Sequence, residues 1–206
     1  MLLNLISNPQ QFIAFVTALI VAITIHEFAH AWMANKLGDP TAKMQGRLTM
    51  NPLAHLDLMG SIFLLLVGFG WGKPVPINSN NLKNPKIDEI KISLSGPLSN
   101  LILATLIGLF IRFVPMTESI TNFFVIMIII NLILMTFNLL PIPPLDGSHL
   151  VKIFLPDEIY ETYQKFGIFL LFALLIFSSY FPIINIIINW VTVIFFEVVV
   201  GNSLYI

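Results

Sequence analysis

Cysteine is absent from the 206-residue chain, so no disulfide staples it and no thiolate is offered to a metal; any ion must be held by histidine and carboxylate. Charge is scarce as well, with only 10% of residues charged and a net charge of −1. No basic cluster and no interleaving of basic and aromatic residues occurs, which leaves nucleic acid without an electrostatic footprint to bind. Internal repeats, low-complexity tracts and appended polar domains are missing, and the expectation is one membrane-embedded domain over 1–206. No early basic segment leads into a small-residue cleavage site, so the first apolar run is expected to be retained and the chain to start near Met1.

What the chain has instead is apolar length. Hydrophobic residues make up 57% of it, and the mean hydropathy is +0.90, the usage of an integral membrane protein. The runs 12–34, 94–114, 120–140, 166–181 and 183–200 are long enough, or nearly so, to cross a hydrocarbon core of about 30 Å. The fold class read from them is an all-α polytopic membrane protein with about five transmembrane helices. A further run, 58–71, would cover only roughly 20 Å as a helix at about 1.5 Å per residue. It also dissolves into Gly68-Phe69-Gly70-Trp71-Gly72, a poor helix sequence. It is read as a membrane-re-entrant hairpin, helical or extended, leading into Lys73-Pro74-Val75-Pro76-Ile77-Asn78, where the prolines favour extended backbone. Non-helical backbone at membrane depth needs cover from protein or a wet cavity, so such a segment implies a cavity.

Re-entry, as opposed to crossing, is supported by the positive charges. With re-entry, Lys36, Lys43, Arg47, Lys73, Lys83, Lys86, Lys91, Lys152 and Lys165 share one face, and Arg112 alone lies toward the other. The positive-inside rule then puts the amino terminus outside and the segment 35–91 on the cytoplasmic side.

Polar chemistry interrupts the first span at His26-Glu27-Phe28-Ala29-His30. Residues four apart share one helix face with Cβ atoms about 5–6 Å apart, close enough for two imidazoles to converge on one ion. Glu27 projects from an adjacent part of the helix, which suits it to take a proton from an activated water as general base and not to serve as a third ligand. A single histidine on an apolar face is commonly a satisfied core residue. An ionisable group near mid-membrane costs roughly 2.5–3.5 kcal/mol on insertion scales, however, and three on two turns need a common cause. Two histidines leave a catalytic zinc site one protein ligand short. Asp146 follows the 120–140 run in Asn138-Leu139-Leu140-Pro141-Ile142-Pro143-Pro144-Leu145-Asp146-Gly147. It reads either as part of an ordinary helix-ending turn or as the missing ligand, and the incomplete pair on the same membrane side favours the ligand. His55 and Asp57 are read as turn residues with ligand capacity, His149 as an outer partner of the site or an interfacial residue, and Glu197 as an interfacial charge.

These segments together resemble the site-2 protease family of intramembrane zinc metalloproteases. The family's H-E-x-x-H motif is present at 26–30 and its N-x-x-P-x-x-x-x-D-G motif at 138–147, while 46–60 and Ser95-Gly96-Pro97-Leu98-Ser99-Asn100 also look like family segments. The resemblance covers about 12–150, the expected catalytic core, with 166–200 as accessory helices. It implies one Zn2+ per chain on His26, His30 and Asp146, and Glu27 as catalytic base. It also implies that Asn138 holds substrate backbone or the developing oxyanion and that Asn100 lines the core between spans. The implied activity is hydrolysis of a peptide bond in or near a transmembrane segment of a single-span membrane-protein substrate, as in regulated intramembrane proteolysis. The implied setting is the lipid bilayer of the cell (plasma or inner) membrane, with the active site nearer the cytoplasm. The family's PDZ and CBS domains have no counterpart in this sequence, so gating must come from elsewhere. Two other functions share parts of the pattern: a membrane metal-ion transporter, and a membrane metalloprotease acting on soluble or lipidated peptides.

Overall fold

The computed structural model describes residues 8–60, 62, 70–178 and 182–201. Among them, 5 helices are long and apolar enough to cross a membrane. These are α1 (Pro9–Leu37), α2 (Pro85–Phe113), α3 (Glu118–Asn138), α4 (Asp157–Ser178) and α5 (Ile183–Phe195), the last continued by a π turn at Phe196–Val200. The described residues hold no strand, only an isolated antiparallel bridge between Leu56 and Gly72. The all-α polytopic expectation is therefore borne out. The anticipated hairpin at 58–71 falls mostly on residue 61 and residues 63–69, outside the described residues, while 73–78 carries no helix.

Helix boundaries follow local chemistry. Asn8 Oδ1 accepts the Gln11 N–H at 3.3 Å and Pro9 takes the first helical position, so α1 starts on a cap. It stops where Gly38 adopts φ +109°, a left-handed conformation that glycine tolerates, and the Asp39 N–H returns to Ala34 O at 2.9 Å. α2 begins nine residues before its apolar run, because Asp88 accepts the Asn84 N–H at 3.0 Å and caps a polar first turn.

Helices α1, α2 and α3 form the packed centre. His30 meets Ile92 and Ala22 meets Asn100, so α1 and α2 run antiparallel. Asn131 meets Asn100 and Phe124 meets Phe110, so α3 is antiparallel to α2 as well. α1 and α3 therefore run the same way, the condition for Asp146 to approach the histidines. Lipid tails are as apolar as leucine, so helices in a bilayer associate through close backbone approach and interhelical hydrogen bonds. α1 meets that requirement with buried Ala14, Ala18, Ala22, Ala31 and Ala34.

α5 leans on α2 and α3 through Phe195, Phe196 and Val200. Its end meets the end of α2, where Arg112 Nη1 donates to the Val198 and Val199 carbonyls at 3.2 and 3.3 Å. A cation there satisfies helix-end carbonyls that lack partners of their own. α5 thus runs parallel to α2. α4 is the least embedded of the five, with only 17% of its apolar window buried.

Candidate metal centre

His26 and His30 face α2 from one side of α1, and both are buried. The His30 Nδ1–H donates to Ile92 O at 2.7 Å, and the His26 Nδ1–H donates to Asn100 Oδ1 at 2.7 Å. With both Nδ1 atoms protonated, both neutral imidazoles present a bare Nε2 lone pair on the opposite edge. Those two Nε2 atoms lie 3.0 Å apart, and Asp146 Oδ2 sits 3.0 Å from one and 3.4 Å from the other. Asp146 Oδ2 is buried without a hydrogen-bond partner. Three lone-pair donors crowded in this way repel one another, and a shared divalent cation turns that repulsion into coordination. Tetrahedral zinc with ligands at about 2.0–2.1 Å sets its ligand atoms about 3.3 Å apart, and two imidazoles with one carboxylate form a catalytic ligand set with a position left open. The residues fit Zn2+. Among the described residues these three form the one cluster of three or more metal-ligating side chains.

Glycine makes the convergence possible. A Cβ at Gly96 would stand 2.4 Å from His30 Nε2 and 2.7 Å from His26 Cε1, so any side chain there would clash with both imidazoles. One residue on, Pro97 lies within α2 and removes an intrahelical N–H, loosening the turn from which Ile92 O reaches both His30 and the Ser95 hydroxyl. The Asp146 turn depends on a glycine too. The Gly147 N–H donates to Asn138 O at 2.7 Å, closing the loop on the end of α3, and a Cβ at Gly147 would lie 2.2 Å from Leu139 O. Of prolines 141, 143 and 144 in this irregular turn, Pro143 is the buried one, and it carries no N–H in need of a partner.

Glu27 is half-buried beside His26 and turned toward Gly72, where an added Cβ would stand 3.5 Å from its Oε1. The non-helical segment 73–78 is pinned at this point. Arg47 donates to the Lys73 and Pro74 carbonyls, the Lys73 N–H donates to His55 O at 2.8 Å, and the His55 Nε2–H donates to Thr49 O at 2.7 Å. Burial lowers the Arg47 pKa from its ordinary value, opposed by the nearby Glu27 carboxylate.

The other sequence candidates fall outside the cluster. His55 is a buried brace of this loop, and Asp57 accepts the Gly60 N–H at 2.8 Å. His149 lies against Tyr160 OH at 3.4 Å, and burial pushes its pKa below the ordinary histidine value. Glu197 is exposed in the π turn. The Asn138 side chain donates to Leu134 O at 2.9 Å. Residues that pattern reading passed over are Gly96, Arg47 and Asn131. A Gly-Pro pair and an asparagine inside otherwise apolar spans were the available signals.

Residues 113–178 match the family described as Peptidase family M50. YwhC of Bacillus subtilis strain 168, named as a candidate zinc metalloprotease, is 45% identical over 154 residues, covering 70% of each chain. Rip2 of Mycolicibacterium smegmatis, also named as a candidate zinc metalloprotease, is 30% identical over 66% of this chain and 55% of its own length. Zinc metalloprotease MJ0392 of Methanocaldococcus jannaschii is 22% identical over 76% of this chain, which spans 38% of that relative. No solved structure matches the chain.

Proposed function

Because the chain belongs to peptidase family M50, and is on that basis a zinc metalloprotease, we propose that it cuts a peptide bond in or near a transmembrane segment of a single-span membrane protein. The observation that carries this reading is the position of the site along α1. His26 lies about 16 Å of helix from the Leu37 end of a 29-residue apolar helix, at about 1.5 Å per residue. A neighbouring span reaches a bond-cutting centre at that level directly, which favours a membrane-protein substrate. The ligands lie toward the end of the bundle that bears Lys36, Lys91 and Lys152, which the positive-inside rule makes cytoplasmic, in the plasma or inner membrane.

His26, His30 and Asp146 would hold the ion, which when bound supplies a Lewis acid that acidifies water and polarises a carbonyl. Glu27 takes a proton from the attacking water as its oxygen bonds to the peptide carbon. It then gives that proton to the amine nitrogen as the C–N bond breaks. Asn138 is the polar group proposed for the oxyanion or for the substrate backbone; it has a second amide N–H beyond the one given to Leu134 O. A helical bond is shielded, so the substrate must unwind, and the pinned segment 73–78 offers it an edge for strand addition. The backbone groups of Val75 and Ile77, two residues apart on one side, have no partner among the described residues.

The test is zinc analysis of purified protein, followed by incubation with model single-span substrates. Wild type is expected to hold one zinc per chain and cleave, and Glu27→Gln to hold zinc without cleaving. Zinc flux into vesicles with no cleavage would overturn the proposal in favour of transport. Cleavage of soluble or lipidated peptides alone would assign the other substrate class.

A further inference from the structure

We propose that Asn100 and Asn131 are positioning residues that hold the His26 imidazole in the one tautomer whose Nε2 lone pair faces the metal. The inference rests on the metal-centre reading above. A neutral imidazole has two tautomers, and the wrong one would aim an N–H at the ion. For His30 the choice is made by backbone: Ile92 O can only accept, so Nδ1 must carry the proton. His26 has no backbone carbonyl at its Nδ1; it has a side-chain amide, which could present either its oxygen or its nitrogen.

Two carbonyls remove that freedom. Asn131 Nδ2 donates to Met127 O at 2.8 Å, and because that carbonyl only accepts, Asn131 Oδ1 is directed at Asn100. Asn100 Nδ2 then donates to Asn131 Oδ1 at 2.8 Å and to Ala22 O at 3.1 Å, using both of its N–H groups. Its oxygen is left for His26 Nδ1 at 2.7 Å. Every link has one allowed direction, and reversing any of them would set acceptor against acceptor. Both asparagines are fully buried among apolar side chains, where an unpaired amide is costly. The same chain of bonds ties α1 and α2 to α3, the helix whose end presents Asp146.

The experiment uses full-length protein in detergent with two readouts: zinc affinity by chelator competition, and the histidine ring 15N shifts of metal-free protein, which report the protonated nitrogen. Wild type should show His26 protonated at Nδ1. Asn100→Leu should weaken zinc binding toward the upper end of the roughly 10–100-fold range typical of such outer partners, and Asn131→Leu toward the lower end. Asn131→Asp should restore wild-type affinity, since burial keeps the acid protonated, its O–H replacing the donor to Met127 O and its carbonyl the acceptor for Asn100. A His26 protonated at Nε2 in wild type, or an unchanged affinity in both leucine variants, overturns the relay and leaves the metal centre standing. Wild type that takes up no zinc overturns the metal-centre reading itself. Should Asn100→Leu fail to fold, the wild-type shifts and the two Asn131 variants decide.

Discussion

The trio α1 to α3 and the outlying α4 are both long and apolar, yet they are held in different ways. The trio interlocks through small residues and buried amides, with Ala18, Ala22 and Ala104 fully buried and Asn100 bonded to both neighbouring helices. α4 touches the site region through its first turns, with Tyr163 OH on Pro141 O, Gln164 Nε2 on Ser148 Oγ, and Gly167 against Pro143. Elsewhere along its length it exposes Phe166, Phe169, Phe172 and Phe177. The contrast shows that apolar length inserts a helix into a bilayer, while close approach and polar pairing decide which helices form a rigid frame. His26 and His30 belong to this frame, and Asp146 lies in the turn that the Gly147 N–H closes onto its α3 end.

If that division is right, changes in the frame act on zinc or on the chemical step, and changes in α4 act on cleavage alone. The largest effect is expected from Glu27→Gln, with a loss of cleavage of about 10²–10⁴-fold and the zinc content intact, measured on one preparation. Gly96→Ala should come next. Its Cβ would enter the space between the imidazoles, and zinc content and cleavage should fall together. Chelation of the metal should lower the unfolding temperature, since zinc at a thousandfold its Kd stabilises the folded state by about 4 kcal/mol; an unchanged temperature would mean that the frame is rigid without its ion. Gly167→Ala, whose Cβ would stand 2.2 Å from Pro143 Cβ, should displace α4 and slow cleavage of a membrane substrate several-fold at full zinc content. The smallest effect belongs to Tyr163→Phe, which removes the hydroxyl bonded to Pro141 O and at about 1 kcal/mol for one hydrogen bond should alter cleavage by a few-fold at most. Zinc loss in either α4 variant would erase the distinction.

Local geometry was the legible part. The spacing of His26 and His30 sets two imidazoles on one face of any helix, and apolar run lengths identified every long helix to within a few residues, apart from the polar starts of α2 and α4. There the capping chemistry of Asp88 and the acidic Asp157 and Glu158 extends the helix beyond the hydrophobic run. The approach of Asp146 to His26 and His30 was legible because few carboxylates follow a span that runs the same way as α1.

Sequence by itself determined that this chain lives in a membrane, where its helices lie, and which three side chains have the chemistry to share an ion, because these depend on run length, helical period and donor type. Only the tertiary structure decided that Gly96 must be bare, that Asn131 orients Asn100 and through it His26, that Arg47 ties segment 73–78 beside Glu27, and that α5 runs with α2. Each of these is a contact between residues far apart in the chain, and in a bilayer such contacts are selected by the fit of backbones and the direction of hydrogen bonds, which no local pattern encodes.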